Sequence, residues 1–187
     1  MTMFLSAKSV HRFPEFFSDE QFREIQSYID RLLRKHPQQT SIKKSDTGLT
    51  AREIIDQSRY ASYFDKMGID YEKSYINIGC INTQNAESEK NWHFDHSEYT
   101  LIVPIFLSGT RKGTIYSVFL SRDKGILKYI TKIINRFLIL LAAREEEFEI
   151  NKGFIIPGTK LYHTSPRIER NATRVILVAH LSTLGQI

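Results

Sequence analysis

The sequence predicts an α+β protein in which helices come first and an antiparallel β-domain follows. Three observations carry this reading: apolar residues at helical spacing ahead of His36, a change to strand-like alternation near residue 74, and a series of short apolar runs over the back half, separated by Gly, Pro, Asn and Ser-rich turns. With 187 residues, of which 41% are hydrophobic and 12% aromatic, the chain can fill one sizeable core and is too short for two comfortable ones. A single domain is therefore expected over 1–187, with residues 1–70 as helical support and 71–187 as the β-core.

The first helix is announced by Ser18, with Gln21 three residues later as its capping-box partner. Phe22, Ile25, Tyr28, Ile29 and Leu32 then recur on one face. The polar stretch 37–50 (PQQTSIKKSDTGLT) reads as a loop, and 51–65 as a second helix that buries Ile54, Ile55 and Tyr60. From residue 74, SYINIGCIN alternates as a half-buried strand does, and the polar loop TQNAESEKN follows it. Further strands are expected at 99–107, 114–120, 146–151, 153–157 and 174–181. Residues 126–143 (ILKYITKIINRFLILLAA) are too long and too helix-friendly for a strand, and read as a helix inserted between barrel strands. Core packing is its simplest role, with a lid or a homodimer surface as the others open to it.

Composition narrows the function classes. Cys80 is the single cysteine, which excludes a disulfide scaffold and cysteine-rich zinc sites and favours a reducing compartment. Any metal must then be held by His, Asp or Glu. The net charge of +5 is modest and scattered, so nucleic acid is not the expected partner, and a small anionic ligand would be served equally well. No stretch approaches 18 uncharged apolar residues, and the N-terminus lacks a basic region ahead of a long apolar segment, so a soluble, cytoplasmic protein is expected.

The chemistry concentrates in residues 92–100, WHFDHSEYT, just before the apolar run LIVPIFL. Side chains two apart on a strand point the same way, so His93 and Asp95 can reach one point while Phe94 faces away. His96-Ser97-Glu98 repeats the pattern, and chance supplies on the order of one His-x-acid pair in a chain of this composition. It reads as the polar rim of the site. A third ligand is offered by His163 in GFIIPGTKLYHTSPR, where a strand, a Pro-Gly turn and a short second strand bring the chain back. Arg174 follows eleven residues later, heading the apolar strand RVILVAHL. A cation on an inward-facing strand demands a partner, and a carboxylate ligand gripped by the guanidinium is the natural one.

This arrangement, His93-x-Asp95, then His163, then Arg174, resembles the iron(II)- and 2-oxoglutarate-dependent dioxygenases of the double-stranded β-helix (jelly-roll, cupin-like) fold. The resemblance covers roughly residues 74–182. It implies His93, Asp95 and His163 as a facial triad on Fe(II) and Arg174 as the partner of the distal carboxylate of 2-oxoglutarate, the cosubstrate. One departure is visible: the family often has serine or threonine two residues after the arginine, where this chain has Ile176. Tyr75, Asn77 and Thr100 are therefore candidates for cosubstrate contacts, and Trp92 and His96 for substrate contacts. Because Asp95 is retained, the resemblance is to relatives that hydroxylate or otherwise oxidise, and not to those that halogenate with a small residue in that place.

The implied reaction consumes molecular oxygen and 2-oxoglutarate, releases succinate and CO2, and oxidises a C–H bond of a small-molecule substrate. Histidines bind metal as neutral rings, so activity is expected to fall in acid. Two rivals stand beside this reading: a cupin-type metal-dependent oxygenase or isomerase that does not use 2-oxoglutarate, and a non-catalytic jelly-roll binding protein.

Overall fold

The computed structural model describes residues 10–37, 39, 41–81, 92–120, 143–165, 168–169 and 171–184. Among them are nine strands and four helices, in the order β1 (His11–Phe13), α1 (Asp19–Lys35), β2 (Ser41–Ile42), α2 (Lys44–Thr47), α3 (Ala51–Asp56), α4 (Ala61–Met67), β3 (Ile69–Ile81), β4 (Tyr99–Ser108), β5 (Thr114–Leu120), β6 (Ala143–Glu146), β7 (Gly153–Ile156), β8 (Leu161–Thr164) and β9 (Thr173–Thr183). A six-stranded sheet runs β1-β7-β4-β9-β3-β2 and a three-stranded sheet runs β6-β5-β8. Every pairing is antiparallel. This is the expected double-stranded β-helix core with its helical support. The expected inserted helix falls almost wholly outside the described residues, and its last position, Ala143, opens β6.

Alternation along the large sheet builds two interiors. On β9, Val175, Leu177, Ala179 and Leu181 join the core with the helices, together with Ile76, Ile78 and Cys80 of β3 and Leu101, Val103 and Ile105 of β4. The intervening positions face the small sheet: Ile176 and Ile102 pack with Phe154 and Ile156 of β7, Tyr116 of β5 and Leu161 of β8. Strands buried on both faces read as continuous apolar runs, which is why 101–105 and 175–179 show so little polarity, while Phe106 beyond them is exposed. Pro104 is tolerated within β4 because the pairing to β9 shifts between it and Phe106.

The helices follow local signals. Ser18 and Gln21 exchange both capping-box hydrogen bonds, and Ile25, Ile29 and Leu32 of α1 are buried. The predicted second helix is broken in two. The Ser58 hydroxyl donates to the Ile55 carbonyl at 2.7 Å and accepts from the Tyr60 N–H at 3.2 Å, so a side chain takes backbone partners that a continuous helix would need. The stretch 37–50 is not all loop: fully buried Ile42 pins β2 to the edge of β3, and α2 follows. Strand β1 escaped the sequence pattern, being three residues long. The strand expected at 146–151 lies earlier, at 143–146, and Asn151 is left-handed with φ of 61°.

Asn151 repays that conformation. Its carboxamide accepts from the Phe17 N–H at 3.0 Å and donates to the Phe17 carbonyl at 2.9 Å. Its own carbonyl accepts from the Phe16 N–H at 2.8 Å. The N-terminal arm is thereby fixed where Phe13, Phe16 and Phe17 are wholly buried.

Replacing Asn151 with alanine removes two side-chain hydrogen bonds and leaves a Cβ residue in the left-handed region. Urea denaturation of Asn151→Ala is expected to show a loss of about 2–4 kcal/mol. A loss below about 0.5 kcal/mol, the scale of an inert surface change, would show that the aromatic packing alone holds the arm.

Candidate metal centre

Two backbone hydrogen bonds bring residues 70 positions apart together. The His93 N–H donates to the His163 carbonyl at 2.9 Å, and the His163 N–H returns to the His93 carbonyl at 3.0 Å, forming an isolated antiparallel bridge beside β8. The imidazoles then lie side by side with ring centroids 4.5 Å apart. Two residues on, the Asp95 N–H donates to the Gly158 carbonyl at 3.0 Å, and the Gly158 N–H donates to the Glu98 carbonyl at 2.9 Å. The Pro-Gly turn thus clamps the acid in place. A Cβ on Gly158 would lie 2.7 Å from the Ser97 carbonyl oxygen and 3.0 Å from the Asp95 Cβ, so this position has no room for any side chain.

The carboxylate of Asp95 sits between the two rings. Its Oδ1 is 3.5 Å from His93 Nε2 and its Oδ2 is 3.4 Å from His163 Nε2. One ligand atom from each of these residues falls within 4.8 Å of the others, a spacing that could hold one metal ion. The donor set suits a borderline divalent ion: two imidazole nitrogens and one carboxylate oxygen. His163 is also prepared as a ligand. Its Nδ1 lies 2.9 Å from the Leu161 carbonyl, which can only accept, so Nδ1 carries a hydrogen and Nε2 is the nitrogen left to face Asp95 or a metal. Burial pushes the Asp95 carboxyl up, but hydrogen bonding to His163 and His93, the charge of His163 and a hydrogen bond from Thr100 outweigh it. The group is held well below the usual carboxylate range.

The remaining sequence candidates divide. Asn77, Thr100 and His180 line one cavity with His93, Asp95 and His163, and its walls continue through Ile102, Ile176 and Val178. Thr100 donates to Asp95 Oδ2 at 2.5 Å. Tyr75 stacks on His180 at 4.7 Å, and burial, then the charge of Asp95, pushes its phenol up. Trp92 is not brought to this cavity: it packs on Tyr162 at 5.4 Å, beside Phe94, on the face of β8 opposite His163. His96 is exposed, and Glu98 ties the rim to β9 by accepting from the Thr183 N–H at 2.8 Å.

Arg174 is 1% exposed and lies one inward position beyond Ile176 on β9. Its guanidinium donates to the Lys112 carbonyl at 2.7 Å and rests 5.6 Å from the Phe148 ring centre. Desolvation pulls it down to about 10, with the charge of Glu145 opposing. A weaker contact reaches the Gly113 carbonyl at 3.4 Å. Arg174 is not among the residues that line the cavity with the triad; Gly113, whose carbonyl it reaches, leads into β5, where Tyr116 pairs with His163.

Two contributions escaped the sequence reading. Ser97, taken as rim, is buried, and its hydroxyl lies 3.3 Å from Thr100 Oγ1 and 3.2 Å from His180 Nδ1. Thr114, buried on β5, lines the cavity next to the loop that holds Arg174. Neither carried a sequence signal beyond residue type, since serine and threonine are common in loops and strands alike.

No family model and no curated protein sequence matches the chain. Solved structures do match. A prolyl-4-hydroxylase from Pseudomonas putida is 11% identical, with a TM-score of 0.59 over 97% of this chain and 96% of that one. EvdO2 from Micromonospora carbonacea, complexed with 2-oxoglutarate, is 11% identical, with a TM-score of 0.60 over 97% and 89%. HygX from Streptomyces hygroscopicus, with nickel and 2-oxoglutarate bound, is 8% identical, with a TM-score of 0.59 over 95% and 84%. At these identities the likeness is one of fold. No helix among the described residues is long and apolar enough to cross a membrane.

Gly158→Ala tests the clamp. The added Cβ must push the Ser97 carbonyl or Asp95 aside, so nickel affinity measured by calorimetry is expected to fall about tenfold or more. Unchanged affinity would mean that the turn yields without moving Asp95.

Proposed function

We propose that this chain is an Fe(II)- and 2-oxoglutarate-dependent oxygenase that oxidises a C–H bond of a small molecule, most simply by hydroxylation, with release of succinate and CO2. The observation that carries the reading is the His93, Asp95 and His163 cluster, with Arg174 buried on β9 in phase with the cavity-lining Ile176, Val178 and His180, on a fold shared with structures that hold 2-oxoglutarate. That arrangement suits a diacid whose 2-oxo acid end meets a metal and whose far carboxylate meets an arginine.

In this reading His93 and His163 would hold the metal through neutral nitrogens and Asp95 through one negative charge, three protein ligands of the kind that suit a non-haem Fe(II) site. Fe(II) there would supply the redox chemistry that couples cosubstrate decarboxylation to substrate oxidation. The chain's part is binding and exclusion. Arg174, already desolvated, grips the distal carboxylate, and the apolar side chains of Ile102, Ile176 and Val178 keep water from the path between the two ends. Asp95 occupies the place that a halide would need, which supports oxidation over halogenation.

Anaerobic addition of Fe(II) and 2-oxoglutarate to the purified protein is expected to produce a weak visible charge-transfer band. His93→Ala and Asp95→Ala should abolish it while the fold, followed by circular dichroism, persists. Arg174→Ala should keep metal binding but raise the 2-oxoglutarate concentration for half-saturation by about 30-fold or more, the equivalent of roughly 2 kcal/mol for a lost buried charge pair. Metal binding without the band would favour a cupin-type enzyme that does not use 2-oxoglutarate, and no metal binding would favour a non-catalytic jelly-roll.

A further inference from the structure

Asp95 is the end of a hydrogen-bond chain that crosses from β4 to β9. Thr100 Oγ1 donates to Asp95 Oδ2 at 2.5 Å, Ser97 Oγ lies 3.3 Å from Thr100 Oγ1, and His180 Nδ1 lies 3.2 Å from Ser97 Oγ. Thr100 and His180 are cross-strand partners, and the His180 ring is backed by Tyr75 at 4.7 Å. Ser97 and Thr100 are both buried.

With all three contacts formed as hydrogen bonds, the chain runs in one direction. An ionised carboxylate accepts and never donates, so Thr100 must give its single hydroxyl hydrogen to Asp95. Thr100 can then only accept from Ser97, which must spend its own hydrogen there. Ser97 is left with lone pairs, so His180 donates through Nδ1. Three side chains are thus locked by the one charge they serve, and a hydrogen bond to a charged acceptor is the stronger kind.

We propose that Thr100, held by Ser97 and His180, is the positioning residue of the metal site: it occupies one oxygen of Asp95 so that the other is presented to the metal as a single, oriented ligand. This rests on the metal reading of His93, Asp95 and His163. It also gives Thr100 a role other than contact with the cosubstrate, because its only hydrogen is already committed.

The test uses cobalt(II) as the probe, titrated anaerobically into the full-length protein with and without 2-oxoglutarate and followed by its visible absorption. Thr100→Val keeps the shape and removes the hydroxyl; Thr100→Ser restores it. Thr100→Val is expected to weaken cobalt binding by about 10–100-fold and to change the band envelope at saturation, Thr100→Ser to return both close to wild type, and Ser97→Ala to give a smaller loss in the same direction. Ser97→Ala also serves if Thr100→Val does not fold. Wild-type cobalt affinity and spectrum in Thr100→Val would overturn the proposal. So would an effect confined to 2-oxoglutarate, with cobalt affinity unchanged, since that is the signature of a cosubstrate contact. A wild-type protein that binds no cobalt would overturn the metal reading itself, which separates that failure from this one.

Discussion

The site depends on the reciprocal backbone pair between His93 and His163. Two N–H to carbonyl bonds fix these residues at bridge distance, and everything else at the centre is built outward from them. With the backbones paired, the imidazoles must lie on the same side, and Asp95, two residues along, is carried to the same point. A metal site assembled on side chains alone would have to order three flexible groups at once. Here the entropy of placing them is met largely by the fold, through β8, the Pro-Gly turn and the start of β4.

A second constraint is the double duty of β9. Its odd-numbered residues 175 to 181 close the core against the helices, while 176, 178 and 180 line the cavity between the sheets and Arg174 is in phase with them at the strand's head. One strand therefore carries the guanidinium at its head and His180 near its far end, six residues away and on the same face. A one-residue slip would turn all four to the helices and bring an apolar set into the cavity, so the site's register is enforced by the hydrophobic core behind it. The bulge between Pro104 and Phe106 is absorbed on β4, which leaves β9 straight in phase.

What could be read from the sequence follows from these same constraints. The alternation after residue 74 and the apolar runs at 101–107 and 175–179 identify β3, β4 and β9 because burial on one or both faces writes a pattern into many residues. The capping box at Ser18 likewise identified α1, since a cap uses two residue types at one spacing. Where structure rests on one or two residues the pattern fails: β1 is three residues on an edge, β2 is pinned by Ile42 alone, and a single Ser58 hydroxyl divides α3 from α4. The same holds at the site. His93, Asp95, His163 and Arg174 stand out by residue type and spacing, whereas Ser97 acts through a contact 83 residues away that no local pattern encodes. Trp92 stood out as an aromatic beside the ligand loop, and its ring packs on Tyr162.

Ile176 shows how a local exchange of volume shapes the cavity. Serine or threonine at this place would present a hydroxyl beside the guanidinium, but here an isoleucine faces the interior. Its cross-strand partner is Gly79, and a Cβ on that glycine would stand 3.1 Å from Ile176 Cγ1. The glycine therefore makes space that the isoleucine fills, and a side chain at 79 would press Ile176 aside by a few tenths of an ångström. The consequence is electrostatic as well as steric. Burial already leaves the guanidinium desolvated, and a cation in such surroundings gains more from an incoming carboxylate than one in contact with water. In the proposed oxygenase, the missing hydroxyl and the glycine opposite it are then parts of one arrangement, in which grip on the far carboxylate comes from charge in a dry setting more than from a second hydrogen bond.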